Sequence, residues 1–173
     1  MSFLQVNDKI KDELYNNILS FLDSSASVIN AYSGAGLLSG IIAKKCREVV
    51  GIEINKFASK SADALKRDNN LTNLNNICGD ANKNLPKVCE KYKNSIVILD
   101  PARNGCGKEI DKFLAETSEY LPKRLIYVSC SLSTLARDLE YIKNTYEVKY
   151  VCGYEMFVQT KHIEILVVLD RKD

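Results

Sequence analysis

Metal-ligand spacing is missing from this sequence. Its six cysteines, at positions 46, 78, 89, 106, 130 and 152, form no CxxC or CxxxxC pair, and His162 is the sole histidine. Zinc and iron–sulfur sites need such clusters, so no metal is expected. An export leader is missing too, and without one a disulfide framework is not expected in a domain of this size. The cysteines then read mostly as small buried hydrophobes, with room for one reactive thiol. No apolar run approaches the roughly 18 residues that span a bilayer, which predicts a soluble, cytoplasmic protein with no membrane partner. An excess of one charge is also lacking. The 24 Lys and Arg residues stand against 22 Asp and Glu, a formal net charge of +2. They are scattered along the whole chain, so no basic tract marks a nucleic-acid surface.

What is present fits one domain over 1–173, since 173 residues at 46% hydrophobic composition suffice for one well-buried core. Short β-rich runs alternate with longer amphipathic ones. Ile10, Leu14, Ile18 and Leu22 recur at i, i+4 spacing and predict a helix over 9–22. Strands are predicted over 27–32, 48–54, 76–78, 95–99 and 124–129, and helices over 37–44, 56–69, the eighties to 93, 109–120 and 134–143. The last two β-rich runs, 147–152 and 163–169, have no helix between them and read as an antiparallel pair. The expected fold class is therefore α/β, a doubly wound, mostly parallel sheet finished by a C-terminal antiparallel β-hairpin. Ligands collect at the carboxyl ends of such strands. Tyr32, Glu53, Asp80, Asp100 and Cys130 all fall there.

Gly34 and Gly36 follow the first strand, where a tight turn lets backbone pass close to a ligand. Their spacing, Gly34-x-Gly36-x-x-x-Gly40, is not the GxGxxG of dinucleotide binders. Glu53, at the end of the second strand, suits the ribose hydroxyls of an adenosine, and Asp80 suits its adenine edge. Each is equally readable as a carboxylate at a helix start, favoured there by the helix dipole.

Four segments resemble the RNA (uracil-5-)methyltransferase family. They are Phe3-Leu4-Gln5-Val6-Asn7; Asp100-Pro101-Ala102-Arg103; Val128-Ser129-Cys130 with Thr134-Leu135-Ala136-Arg137-Asp138; and Met156-Phe157 through Thr160-Lys161-His162-Ile163-Glu164. The resemblance implies a class I S-adenosylmethionine (SAM) methyltransferase fold, with SAM lined by Gln5, Tyr32, Gly34, Gly36, Glu53, Asp80 and Asp100. It implies that Cys130 adds to C6 of a uridine and that Glu164 removes the C5 proton after methylation, with Asp100 between cofactor and base. RNA, ribosomal or transfer, is the implied substrate, bound weakly by this domain alone. The dipole of the helix after Cys130 is expected to favour a thiolate. Arg137 is readable either as a cationic neighbour of that thiolate or as half of an exposed helical pair with Asp138. His162 is expected to orient Glu164 or the hairpin.

The sequence departs from the family pattern in three places. Ser131-Leu132 replaces Asn-Pro after the nucleophile, Asn30 replaces an aspartate on the first strand, and Val158 replaces a proline. The family's N-terminal RNA-binding and cysteine-rich segments have no counterpart in this chain. These departures keep other readings open: a non-catalytic relative that binds SAM or RNA, or a SAM methyltransferase with another acceptor. A nicotinamide-dependent dehydrogenase is the weakest rival, given the glycine spacing.

Overall fold

A computed structural model describes residues 8–116, 118–155 and 163–173. Its element order is α1 (Asp8–Ser20), β1 (Ser27–Ala31), α2 (Leu37–Ala43), β2 (Glu48–Glu53), α3 (Lys56–Asp68), β3 (Leu74–Cys78), α4 (Ala81–Lys91), β4 (Ile96–Leu99), α5 (Lys108–Ala115), β5 (Arg124–Ser129), α6 (Leu132–Ile142), β6 (Tyr146–Tyr154) and β7 (Glu164–Arg171). The seven strands form one sheet in the order β3-β2-β1-β4-β5-β7-β6. The first five are parallel to one another, and β7 runs antiparallel between β5 and β6. The connections reverse direction across the sheet between β1 and β4, the kind of switch point at which α/β sheets open a crevice.

Alternation along each strand builds two cores, because successive side chains point to opposite faces. Ile29, Val50, Val97 and Leu125 face α4, α5 and α6 through Leu85, Ile110, Leu114 and Leu135. Their neighbours Val28, Val49, Ile96 and Ile126 face α1 and α2 through Leu14, Ile18, Leu38 and Ile42, with Leu65 of α3 at the margin. The parallel strands are buried on both faces, as β1 (all five residues) and β4 (all four) show, which explains why they read as continuous apolar runs. β6, at the sheet edge, is buried only at its ends, and Val148 and Val151 are exposed.

Several boundaries differ from the sequence reading. The first strand stops at Ala31, because Tyr32 takes a left-handed φ of 64° that a strand cannot continue. β3 starts two residues earlier than expected, since Leu74 is fully buried on it. α5 ends at Ala115 rather than near Tyr120. The Ser118 hydroxyl accepts the Tyr120 backbone N–H at 3.2 Å and turns the chain, so that Leu121 enters the core. α6 begins at Leu132 rather than Thr134. Leu132 occupies the first helical position, where proline is favoured because its N–H has no helical partner. Leucine keeps that geometry without the fixed φ.

Candidate active site

The turn after β1 is tied to the end of β2. The Ser33 N–H bonds the Ile52 carbonyl at 2.9 Å, and the Gly34 N–H donates to Glu53 Oε2 at 2.8 Å. The other oxygen, Oε1, accepts the Asn55 N–H at 2.6 Å. Glu53 thus braces two backbone segments and keeps lone pairs on each oxygen for a further donor. Gly34 and Gly36 differ in what surrounds them. A Cβ at Gly34 (φ +55°) would meet no atom within 4 Å, so open space lies beside that backbone. At Gly36 (φ +84°) it would sit 2.7 Å from the Ala62 Cβ, so this glycine serves the packing of α2 on α3.

Asp80 caps α4. One carboxylate oxygen accepts the Asn82 N–H at 2.9 Å, the helix-start arrangement that its sequence position also allowed. The Tyr32 side chain turns toward the loop after β4, where burial first and then Cys106 raise its phenol far above the ordinary range. Gln5 lies outside the described residues, as do Lys161 and His162.

Proline at 101 stops β4 and leaves Asp100 at its carboxyl end, beside β1 at the switch point. On the neighbouring strand β5, Cys130 follows Ser129, which pairs with Ile165 of the antiparallel β7. The next step of that register belongs to Cys130 and Glu164. The two residues come together although 34 positions separate them in sequence, and both are half-buried.

Electrostatics link these groups. Burial pushes the Cys130 thiol up, Glu164 pushes it further, Arg103 opposes both, and Asp100 adds a smaller upward push. Burial raises Glu164 and Arg103 opposes this. Asp100 is raised to about 7, by the surrounding protein first and by Glu164 second. Solvent still reaches Asp100.

The cation near Cys130 is Arg103 rather than Arg137. Arg137 instead pairs with Asp138, at 2.6 Å from Nη2 to Oδ1, and donates to the Asn104 carbonyl at 2.8 Å. The pair on α6 is therefore neither a thiolate neighbour nor an idle surface pair. Arg103 stood within the Asp100-Pro101-Ala102-Arg103 segment but acquired no role from the sequence. Tyr15 of α1 was missed as well. Its phenol is raised to about 12 by burial first and then by Asp100 and Asp12. Two clefts lie at the amino ends of the parallel strands, away from these groups. They are lined by Lys123, Arg124 and Asp170, and by residues around Leu121 and Thr145.

Residues 1–172 match the family described as tRNA (Uracil-5-)-methyltransferase. A Mycoplasma mobile protein named as an uncharacterized RNA methyltransferase is 35% identical over 170 residues, which are 98% of this chain and 46% of that protein. A Clostridium tetani protein of the same name is 35% identical over 173 residues, 98% of this chain and 37% of that one. The crystal structure of Pyrococcus abyssi tRNA (uracil-54, C5)-methyltransferase with S-adenosyl-L-homocysteine superposes with a TM-score of 0.82 at 27% identity, covering 97% of this chain and 40% of that one. Mycoplasma capricolum TrmK, also with S-adenosyl-homocysteine, shares the fold at 15% identity, with a TM-score of 0.69 and coverage of 92% of this chain and 68% of that one. The chain spans less than half the length of the two relatives and of the Pyrococcus enzyme. The fold is that of class I SAM methyltransferases, and the chain belongs to the tRNA (uracil-5-)-methyltransferase family.

Proposed function

We propose that this chain is the catalytic domain of an enzyme that methylates C5 of a uridine in RNA, with SAM as donor. The observation that supports this reading most is the meeting of Cys130 and Asp100, at the carboxyl ends of β5 and β4, with Glu164, at the amino end of the antiparallel β7. A nucleophile, a base of raised basicity and a further carboxylate are the groups that substitution at C5 requires.

The open space beside Gly34 and the free lone pairs of Glu53 fit an adenosine whose ribose hydroxyls bond Glu53. Tyr32, Gly36 and Asp80 shape the same end of the sheet, and Gln5 belongs to this set by resemblance. When bound, SAM supplies a methyl group on a sulfonium, an electrophile for a carbon nucleophile.

Uracil C5 is a poor nucleophile. The Cys130 thiolate forms a bond to C6, and the C5–C6 π electrons move onto C5 and the O4 enolate. After C5 has gained the methyl group, Glu164 takes the C5 proton, the double bond reforms and the sulfur leaves C6. The raised proton affinity of Glu164 suits a base that must hold that proton. Because the charge is nearly balanced, this domain alone binds RNA weakly and the rest of a longer protein supplies most of the phosphate contacts.

Methylation of uridine-containing RNA with labelled SAM tests the reading. Cys130→Ala should abolish transfer in a preparation that still binds SAM. Transfer that survives this change would move the acceptor to an atom that needs no covalent activation.

A further inference from the structure

Asp138 lies outside the chemistry described above, yet it is the most heavily bonded side chain in its part of the molecule. It is 2% exposed. Its Oδ2 accepts the Tyr127 hydroxyl at 2.7 Å and the Cys106 backbone N–H at 2.8 Å. Its Oδ1 accepts Arg137 Nε at 2.8 Å and Nη2 at 2.6 Å. Arg137 Nη2 also donates to the Asn104 carbonyl at 2.8 Å. These contacts come from Arg137 and Asp138 on one face of α6. On that face, Thr134 Oγ1 lies 3.2 Å from the carbonyl oxygens of both Arg103 and Ser131.

The loop after β4 is therefore fastened to α6 at three points: the Arg103 carbonyl by Thr134, the Asn104 carbonyl by Arg137, and the Cys106 N–H by Asp138. α6 starts directly after Cys130-Ser131. The fastening makes the loop and the cysteine segment one unit, and the exposed Arg103 side chain projects from its end. A surface loop held only by water-exposed bonds would not keep a long, flexible arginine on station. A buried carboxylate that accepts four donors is what holds it.

We propose that Asp138 is a positioning residue for the active site. By clamping residues 103–107 onto α6, it fixes the backbone from which Arg103 projects next to the Cys130-Ser131 segment, whose Ser131 carbonyl shares Thr134 with the Arg103 carbonyl; Asp138 itself makes no bond to Cys130 or Glu164. Its consequence for turnover rests on the uridine reading above, but its effect on the Cys130 thiol does not. The choice of aspartate follows from its bonds. All four donor groups, from three residues, need an acceptor, and both oxygens supply one. Asparagine offers one oxygen and turns an NH2 group on donors at the other.

The test is the pH dependence of Cys130 alkylation by iodoacetamide in the full chain, read from the Cys130 peptide by mass spectrometry so that the other cysteines do not interfere. Among the described residues, the charged groups acting on that thiol are Glu164 on β7, Asp100 at the end of β4 and Arg103 in the loop. Arg103→Ala should slow alkylation about threefold to tenfold near pH 7.5, the effect of removing one nearby cation. Asp138→Asn should produce most of the same slowing, and the Arg103→Ala/Asp138→Asn double variant should be no slower than Arg103→Ala alone. If Asp138→Asn unfolds the chain, Tyr127→Phe and Arg137→Ala each remove part of the clamp, and each should slow alkylation in the same direction by less. Loss of thermal stability with an unchanged Cys130 profile would overturn the proposal, as would effects of Arg103 and Asp138 that simply multiply. Because no RNA or SAM is present, failure of the uridine reading would leave this result untouched.

Discussion

Cys130 and Glu164 meet through the pairing of β5 with β7: Ser129 faces Ile165, and the following step brings thiol and carboxylate to the same end of the ladder. The relationship is electrostatic as well as geometric. Burial first and Glu164 second raise the thiol, so the carboxylate works against the thiolate.

That relationship predicts opposite effects from the two charges beside the thiol. Glu164→Gln should speed alkylation of Cys130 several-fold at neutral pH, since a carboxylate that disfavours the thiolate has gone. Arg103→Ala should slow it. Slower alkylation in Glu164→Gln would mean that the carboxylate is not beside the sulfur.

The cofactor end is tested at Glu53. Removal of a charged acceptor that takes hydrogen bonds from a ligand costs about 1.5 to 3 kcal/mol. Glu53→Ala should therefore weaken SAM at least about tenfold by isothermal titration. Glu53 also braces Gly34 and Asn55, so the same variant should melt at a lower temperature. A lower melting temperature with unchanged SAM affinity would leave Glu53 a brace only.

Proton uptake distinguishes Asp100. Its carboxyl, raised to about 7, is partly protonated at neutral pH. A bound sulfonium would favour the ionised form, so SAM binding should release protons near pH 7 and tighten as pH rises from about 6 to 8. Titrations in buffers of different ionisation enthalpy measure the release. Asp100→Asn should abolish it, and a proton count that does not change in that variant would assign the release elsewhere.

Asp111 gives a stability prediction with a definite sign. It is 6% exposed, and burial first and the charge of Asp138 second raise its carboxyl to about 6, with Arg137 opposing. The unfolded chain would lose that proton near pH 4. Between these values the folded state binds more protons, so stability falls as pH rises through about 4 to 6 and the full penalty persists above. Asp111→Asn should therefore stabilise the protein by about 1 to 3 kcal/mol at pH 8 and by little at pH 4. Urea unfolding at the two pH values reads the difference, and equal effects at both would contradict the cause given.

The sheet was legible in the sequence because its strands are buried on both faces and its helices are not. Runs such as Ile96–Leu99 and Leu125–Val128 are apolar throughout, while α1 and α6 carry apolar residues at helical spacing. Cys130, Glu164 and Asp100 were legible as a set only through motif likeness, since nothing local says that residue 164 lies beside residue 130. Arg103 and Arg137 could not be told apart by spacing. Which arginine faces the thiol depends on Asp138 bonding Cys106, a contact 32 residues apart in the chain. The end of α5 escaped because a serine hydroxyl competes with the helix for a backbone N–H.

Addition of Cys130 to uridine and the later removal of its C5 proton by Glu164 are tested together by one denaturing gel. The full chain, Cys130→Ala and Glu164→Gln are each incubated with uridine-containing RNA and radiolabelled methyl donor. Glu164→Gln keeps the nucleophile and loses the base, so it should accumulate a protein–RNA adduct that survives denaturation and carries the label, while Cys130→Ala forms none. A Glu164→Gln preparation that binds SAM and RNA yet gives no labelled adduct would contradict the account.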